Sequence, residues 1–397
     1  MKKICLIFRV HLSPTLRPYR FFEIGDHAPY YEEETLAADI LREAQTCLQP
    51  VSQLLLRQIQ SNREKIRVAI FLSGMTADLL EKYAPGLTPV FRQLASTGCV
   101  EFLSGTYSWS LASLYHPAAF QRQIADHRQS MQELTGAGTS GIFLNTGLIY
   151  NHQIGRQLRH AGMEGAILEG NKQLLGWKSP DALYVDSRIP GMKLFLNNPD
   201  LNKDFLHLLT GSQKIQRPGY KGSVQDEILS AGETDQQVNL FVPFEILRQP
   251  EGHSSGNLHL LEYFLYKAGQ SSGIQYCTPS DLLHSGVIPE ALPTDLYLLP
   301  EEKNNFLMYE PGNELQQEAL TKLYEMTGKM ELIADPEVWQ EWNFLQSAVH
   351  PGHMATNCPD GTHSGTNNPF PSPFDAFIIY MNILNDFNLK LEQLAKK

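Results

Sequence analysis

The stretch ICLIFRV, residues 4–10, is a nearly continuous apolar and β-branched run of the kind that forms a strand buried on both faces of a parallel sheet. Six further short runs have the same character, and they fall at residues 68–72, 100–103, 142–144, 166–168, 194–196 and 238–242. Stretches with helical spacing of apolar residues separate several of them, as at 34–60 and 118–134. Alternating strands and helices predict right-handed βαβ units, and seven such strands predict a distorted, TIM-barrel-like (β/α) barrel rather than an open sheet.

The pattern changes after about residue 278, where the strand signal fades and apolar residues recur at helical intervals over 313–326 and 374–394. Pro373 suits the first turn of the last of these helices. We therefore predict a barrel domain over residues 1–290 and a C-terminal helical domain over 291–397, joined through the proline-containing stretch 288–300. Residues 171–236 are rich in Gly, Pro, Asn and Lys, and they are predicted to form long loops over one end of the barrel.

Composition excludes several classes of partner. The chain has 397 residues, is 42% hydrophobic and carries a net charge of −11, so it has no basic surface for nucleic acid or an anionic membrane. Arg9 and His11 interrupt the first apolar run before a signal-peptide core can form, and no run approaches the ~20 apolar residues of a membrane helix. These features predict a soluble, cytoplasmic protein.

Cysteine and histidine spacing gives no sign of a metal or redox centre. The five cysteines are scattered without any C-x-x-C pair, which predicts reduced and mostly buried thiols at Cys5, Cys47, Cys99, Cys277 and Cys358. The stretch 349–373 contains His350, His353 and His363, but their spacing is irregular and no acidic residues accompany them. We interpret these three as loop histidines and predict no metal and no cofactor.

The segment GIFLNTGLIY, residues 141–150, contains the most informative strand end in the sequence. A short apolar strand leads directly into Asn145, Thr146 and Gly147 and then into a segment of helical character. Barrel enzymes carry their catalytic groups at such strand ends. Gly147 occupies a position that would present a side chain to the pocket, and glycine has none.

Eight segments together resemble glycoside hydrolase family 57, in its bacterial α-amylase-like branch. They are ICLIFRVH (4–11), YRFFEIG (19–25), VEFLSGTYSWSLASL (100–114), NTGLIY (145–150), LGWKSP (175–180), VNLF (238–241), GNELQ (312–316) and SPFDAFIIYMNILNDF (372–387). The resemblance implies a seven-fold barrel followed by a helical bundle, and retaining hydrolysis or transfer of α-glucans. The implied catalytic pair is a glutamate nucleophile after the fourth strand and an aspartate acid/base after the seventh, ~5–5.5 Å apart.

On this resemblance the nucleophile falls on Gly147 and the acid/base on Pro243, within VPFEIL at 242–247. An arginine expected three positions before the nucleophile falls on Leu144. Further pocket positions also differ from the family pattern: Leu12, Ser13, Gly105 in place of a glutamate, Trp109 in place of a histidine, and the triplet Ala348, Val349 and His350. Relative to the family pattern, Leu144, Gly147 and Pro243 together remove an arginine, a glutamate and an aspartate, so no charge is left buried without a partner. This joint loss favours a pocket that has been repacked. The resemblance therefore predicts a catalytically degenerate α-amylase-like protein, a pseudoenzyme of carbohydrate metabolism.

Three alternatives remain open. Glu169 and Glu245 are weak substitutes that would make the protein an active glycoside hydrolase with relocated carboxylates. A Ser-His-Asp or deacetylase-like metal site has its ingredients near the strand ends, but no spacing supports a shared geometry for His11, Asp26, His27 and His116. The protein could instead be the partner subunit of an active amylase paralogue.

Aromatic residues at the predicted strand ends favour sugar binding without turnover. Rings at such positions can stack on the apolar faces of glucose units, so an α-glucan or maltooligosaccharide site is predicted to include His11, Tyr107, Trp109, Tyr150 and Trp177. The competing hypothesis is that these rings fill the emptied pocket as core. The sequence leaves both hypotheses, and the oligomeric state, open.

Overall fold

Seven parallel strands close into a barrel in the computed structural model, which describes residues 2–62, 65–211, 228, 237–249, 257–270, 273–294, 313–356 and 368–396. The described strands are β1 (Lys2–Val10), β2 (Val68–Leu72), β3 (Val100–Phe102), β4 (Ile142–Leu144), β5 (Gly165–Glu169), β6 (Leu183–Asp186), β7 (Lys193–Asn197), β8 (Gln237–Pro243), β9 (Ile274–Tyr276) and β10 (Glu290–Leu292). Around the ring the order is β1, β2, β3, β4, β5, β7 and β8, which returns to β1. All seven predicted strands and the predicted barrel are confirmed.

Two joints in the ring are irregular. Strands β3 and β4 meet through a bridge between Ser104 and Phe143, just past the end of β3. Strands β7 and β8 share, within the described residues, one register pair, Asn197 with Asn239. There the side-chain amide of Asn239 donates to the carbonyl of Leu196 at 2.8 Å, so a side chain replaces part of the backbone ladder. Among the described residues, the ring of strands is thus least regular at these two joints.

Strand β1 explains why its sequence is apolar at nearly every position. Ile4, Leu6 and Phe8 pack against the surrounding helices, whereas Cys5 and Ile7 belong to the cluster that fills the barrel. A strand with helices on one side and the barrel interior on the other has no solvated face. Arg9 continues the inward-facing row and therefore projects toward the mouth of the barrel, at the carboxyl ends of the strands.

Helices surround the barrel and form the C-terminal region. Those described are Glu33–Glu43, Gln49–Ser61, Gly74–Tyr83, Thr88–Ser96, Ala112–Tyr115, Pro117–Thr135, His152–His160, Lys172–Leu175, Pro199–Leu209, Leu258–Gln270, Pro279–Leu283, Glu314–Glu325, Thr327–Met330, Pro336–Leu345, Val349–Gly352 and Pro373–Leu394. The first two are joined by a π-helical turn, Ala44–Leu48, just before Pro50, whose missing N–H interrupts the regular ladder. None of the described helices is long and apolar enough to cross a membrane.

The prediction of long loops over residues 171–236 is wrong for its first half. That segment contains the helix Lys172–Leu175, strands β6 and β7, and the helix Pro199–Leu209, while most of 212–236 lies outside the described residues. Asparagines that suggested loops are helix caps: Asn171 accepts from the N–H of Leu174, and Asn198 from that of Leu201. Strands β6, β9 and β10 were not predicted.

Strand β10 lies across the predicted domain boundary between residues 290 and 291. It pairs with β6, which runs antiparallel to β7, so the start of the predicted linker belongs to the sheet. Residues 295–312 lie outside the described part of the chain. The division into two domains remains a prediction.

Asp386 fixes the long loop that follows β1 to the last helix. Its carboxylate is fully buried and accepts hydrogen bonds from the N–H of Gly25 at 2.6 Å, from the hydroxyl of Tyr30 at 2.8 Å and from the ring of His27 at 3.2 Å. Burial alone would raise the pKa of Asp386, but these hydrogen bonds outweigh it and hold the pKa below its ordinary value. The loop from Arg20 to Tyr30 is therefore attached to the C-terminal helix by one charged group.

We predict that Asp386→Ala lowers the free energy of unfolding by about 3 kcal/mol, because several donors lose one buried acceptor together. Asp26→Ala, at an exposed position in the same loop, is the matched control and should change stability by less than ~0.5 kcal/mol. Urea denaturation measures both. Equal effects of the two substitutions would contradict this account of the loop.

Candidate functional site

Gly147 lies in a tight turn directly after β4. Its φ of 65° and ψ of 17° place it in the left-handed region, and Leu148 follows with a φ of 57°. The side-chain amide of Asn145 donates to the carbonyl of Ile149 at 2.9 Å and closes the turn. A residue with a Cβ at position 147 would be strained by ~1–2 kcal/mol, which is the reason glycine suits it.

Pro243 is the last residue of β8. By strand alternation it continues the inward row of Asn239 and Phe241, and it stands in register with Arg9 on β1. The position therefore faces the barrel mouth next to a cation. Proline has no ionisable group and no N–H, so it supplies neither a proton nor a donor there.

Trp109 is buried at the mouth, beside the carboxyl ends of β1 and β2. Its side chain is 2% exposed, and its ring lies 4.9 Å from that of Phe71 and 6.4 Å from that of His11, between centroids. Its φ of 52° is rare for a bulky residue, so the backbone is held in a strained conformation that directs the indole inward. Among the described residues, the indole Nε1 has no hydrogen-bond partner.

Gly105 makes room for this stack. A Cβ at position 105 would overlap the ring of Phe71, on which Trp109 packs. The Phe71 ring also stacks on His127, with 5.4 Å between centroids and an interplanar angle of 17°. The glutamate that the family resemblance places at 105 therefore cannot coexist with this arrangement of rings.

Arg9 and Glu245 form an ion pair beside Trp109. The Arg9 side chain is 5% exposed and Glu245 is 32% exposed, and the guanidinium also lies 5.5 Å from the centroid of the Trp109 ring. Burial lowers the pKa of Arg9 to about 10, which still leaves it charged at neutral pH. Strand β8 ends at Pro243, and a 3-10 turn follows at Phe244–Leu247. This turn directs the carboxylate of Glu245 back toward the guanidinium of Arg9 on β1.

Glu169 is the second candidate carboxylate, and it occupies a different part of the ring. It is buried at the end of β5 and stands in register with Asn197 of β7. Strand β7 lies between β5 and β8 in the barrel, so Glu169 and Glu245 come from strands that are not neighbours.

His11 links the mouth to the C-terminal region. Its Nδ1 lies 2.9 Å from the hydroxyl of Ser73, and its Nε2 lies 3.2 Å from the hydroxyl of Ser347. The segment around Ser347 also bonds the loop that carries Trp109, since Ser347 forms a β-bridge with Ser110 and Ala348 donates its N–H to the carbonyl of Trp109 at 3.3 Å. A segment of the C-terminal region is thus attached to the mouth by His11 and by this loop.

The four predicted sugar-binding aromatic residues do not share one surface. Tyr107 and Tyr150 are buried and donate their hydroxyls to Asp78 at 2.6 Å and to Asp186 at 2.9 Å. Trp109 is buried as well, whereas Trp177 is 92% exposed in the loop after β5. Three of the four positions therefore have the environment expected of core residues, and Trp177 is available to a ligand.

The remaining candidate groups have separate structural surroundings. His116 caps the helix Pro117–Thr135 by accepting from the N–H of Ala119, His27 pairs with Asp386, and Asp26 is exposed. The described residues contain no group of three or more His, Cys, Asp or Glu arranged to hold a metal ion. The four described cysteines are free and buried, as predicted, while Cys358 and His363 lie outside the described residues.

Sequence reasoning missed the residues that shape the mouth, namely Arg9, Phe71, His127 and Ser347. For Arg9 a signal existed, because one charge within the apolar run at 4–10 requires a partner if the strand is buried. For the others the local sequence contains no such signal. Their roles arise from contacts between segments that are far apart along the chain.

Comparisons with known proteins agree with this architecture. A sequence model described as Glycosyl hydrolase family 57 matches residues 5–295. A Methanocaldococcus jannaschii protein named "Putative alpha-amylase" is 24% identical over 370 residues, which cover 89% of this chain and 77% of that protein.

Two solved structures share the fold. The alpha-amylase AmyC from Thermotoga maritima aligns with a TM-score of 0.61 at 11% identity, over 99% of this chain and 95% of its own. The 4-alpha-glucanotransferase from Thermococcus litoralis aligns with a TM-score of 0.59 at 13% identity over 87% of this chain, which spans 55% of that enzyme. At these identities the two structures establish the fold alone: a distorted TIM-like barrel followed by a helical C-terminal region.

The site predicts a pH dependence of stability. Burial lowers the pKa of His127 and of His350 from 6.5 to about 4, and both rings contact a backbone carbonyl, of Leu72 and Phe344 respectively. Between pH 6.5 and about pH 4 the unfolded chain binds protons that the folded chain does not. The free energy of unfolding should therefore fall as pH falls through this range, by up to ~1.4 kcal/mol per pH unit for each histidine.

Denaturant unfolding across that pH range measures the slope. We expect His127→Phe to make the slope shallower by up to one proton, and His284→Gln, at an exposed position, to leave it unchanged. An unchanged slope in His127→Phe would contradict the assignment of His127 as a buried neutral base.

Proposed function

The chain belongs to glycosyl hydrolase family 57, and from this premise we propose that it is a catalytically inactive member that binds α-glucan without hydrolysing it. The observation that carries the proposal is the position of Trp109. Its buried indole packs on Phe71 of β2 and lies next to the guanidinium of Arg9, the residue of β1 that stands in register with Pro243. A sugar ring and this indole cannot occupy the same volume.

The absence of carboxylates at the expected positions supports inactivity. Retaining hydrolysis requires two carboxyl groups ~5–5.5 Å apart, one to attack the anomeric carbon and one to transfer the proton. Gly147 and Pro243 offer neither group, and the left-handed backbone at 147 disfavours any side chain. Gly105 adds a third position at which packing excludes a glutamate.

The surviving carboxylates are poorly suited to replace the pair. The carboxylate of Glu245 pairs with the buried guanidinium of Arg9, and this ion pair would have to break before Glu245 could attack a substrate. Glu169 is buried at the end of β5, whereas the implied pair follows β4 and β8. We therefore favour binding over relocated catalysis.

Trp177 supports the binding half of the proposal. An indole that is 92% exposed on a loop at the mouth end of the barrel is costly to leave in water and suits the apolar face of a glucose unit. Lys178, the next residue, bonds the carbonyl of Ala291 at 3.2 Å and pairs with Glu290, so β10 supports the loop. The names of the relatives, an alpha-amylase and a 4-alpha-glucanotransferase, make α-glucan the class of ligand to test.

We predict that the purified protein releases no reducing sugar and forms no transfer product from maltoheptaose or glycogen above an enzyme-free blank. Gly147→Glu combined with Pro243→Asp should remain inactive, because the strained turn and the indole of Trp109 persist. Turnover by the wild type that disappears in Glu245→Gln or in Glu169→Gln would overturn the proposal and establish relocated carboxylates.

We also predict that the protein binds maltoheptaose, and that Trp177→Ala weakens this binding about tenfold through loss of one stacking surface. Calorimetry or affinity electrophoresis in glycogen gels measures the change. Phe374→Ala, which removes an aromatic ring that is 62% exposed at the start of the helix Pro373–Leu394, is the control and should leave the affinity unaltered. Absence of binding to maltoheptaose and glycogen would exclude the glucan-binding role.

A further inference from the structure

Apolar side chains line an outward face of the last helix, Pro373–Leu394. Phe374, Ile378 and Leu389 are exposed there, and Met381 and Asn385 lie between them on the same face, half-buried. Along the chain these residues follow one another at intervals of four, three, four and four. This is the spacing of the contact seam between two packed helices. None of these side chains carries a charge.

The 3-10 turn Phe21–Glu23 adds two exposed rings to this part of the surface. Phe21 is 70% exposed and Phe22 is 89% exposed, and the two rings meet edge to face with 5.8 Å between centroids. A single exposed apolar side chain is ordinary in a folded protein, whereas a group of them marks a contact surface.

Two hydrogen bonds place this turn beside the helix. The carbonyl of Tyr19 accepts from the side-chain amide of Asn382 at 3.0 Å, and the N–H of Gly25 donates to Asp386 at 2.6 Å. The two rings lie in the segment between these bonds, and Ile378 is one helical turn from Asn382. Because the turn is already fixed, its rings lose little conformational entropy when another surface covers them.

The turn and the helix therefore form one continuous surface, which we call the aromatic face. It consists of Phe21, Phe22, Phe374, Ile378, Met381 and Leu389.

The area of the aromatic face is about half of what a stable interface needs. With ~150–250 Å² for each aromatic side chain, the exposed fractions of Phe21, Phe22 and Phe374 leave roughly 330–550 Å² of ring surface in water. From Phe374 to Leu389 the face is ~22 Å long, so a small ligand would leave most of it uncovered. Two such faces together, with the aliphatic side chains and the rim, reach the ~1,200–2,000 Å² of a standard interface.

Shape and charge both favour a second copy of this chain as the occupant. The turn stands beside the helix, so a two-fold axis between them places the turn of each copy on the helix of the other. With a net charge of −11, two copies repel each other over most of their surfaces. The helical part of the aromatic face has no charged side chain, so this repulsion is smallest there.

We infer that the aromatic face is the contact surface of a two-fold symmetric dimer. The last helix of one copy packs against the last helix of the other, and the Phe21–Glu23 turn of each copy covers the partner's helix. The dimer does not depend on the proposed function, because an oligosaccharide as short as maltoheptaose binds each chain separately. Pairing and glucan binding can therefore fail independently.

Sedimentation velocity of the full chain over a concentration series measures the pairing. We expect a species with the mass of two chains, whose population grows with protein concentration. Ile378→Asp places a carboxylate in the seam, and Phe22→Ser removes the most exposed ring, so each should weaken dimerisation at least about tenfold. The matched control is Tyr266→Ser, which removes an exposed aromatic residue from a helix that packs against Gln49–Ser61, and it should leave the dissociation constant unchanged.

Salt provides a second measurement on the wild type. Raising NaCl from about 50 to about 500 mM should not weaken the dimer, because apolar contact holds it together and salt screens the repulsion between two acidic chains. A dimer that dissociates as salt rises would be held by ion pairs and would contradict the inference.

The outcomes are distinct. A dimer that Ile378→Asp or Phe22→Ser dissociates, and that Tyr266→Ser leaves intact, supports the inference. Each change is at an exposed position, so the far-UV circular dichroism of the variants should match that of the wild type. A wild type that sediments as one chain up to about 100 µM overturns the inference, whichever segment or other protein covers the face. A dimer that neither substitution weakens, or that all three weaken equally, overturns it as well.

Discussion

The packing of Trp109 across the strand ends is the constraint on which the rest of the mouth depends. The indole requires glycine at 105, because any larger residue would displace the ring of Phe71 beneath it. It also lies against the guanidinium of Arg9, which would be a costly buried charge without the carboxylate of Glu245. The rings of the mouth and the ion pair of Arg9 with Glu245 therefore depend on one another, so a substitution at one of these positions would disturb the packing of the others.

Local sequence was sufficient for the barrel but not for what fills it. The strands were predictable because all of the seven except β3 are buried at nearly every position, and most of them are therefore continuous apolar runs. The sequence did not predict strand β10, because Glu290 and Ala291 are exposed and a three-residue segment is too short to show alternation of apolar and polar residues. Trp109 and Trp177 are the same residue type on mouth loops, yet one is 2% and the other 92% exposed. That difference depends on Phe71 and on residues after 340, which no local pattern contains.

The C-terminal helical region is part of the site. Just after the helix Pro336–Leu345, the hydroxyl of Ser347 lies 3.2 Å from Nε2 of His11 at the mouth. Gln123 makes a second connection: its Nε2 donates to Oδ1 of Asn343 on that helix at 3.0 Å, and its Oε1 accepts from the N–H of Ser108, next to Trp109, at 2.8 Å. The loop that carries the indole is therefore held to the C-terminal helical region.

The attachment of the first loop to Asp386 has a consequence for the order of assembly. Gly25 and Asp386 are 361 positions apart, so during synthesis the amide of one is made long before the carboxylate of the other exists. Strands β1 and β2 can pair early, but the loop from Arg20 to Tyr30 stays without its acceptor until the last helix leaves the ribosome. Tyr30, which is buried against Phe387 in the folded protein, therefore stays uncovered on the nascent chain throughout that interval, and the wait is longest for the part of the protein that is translated first.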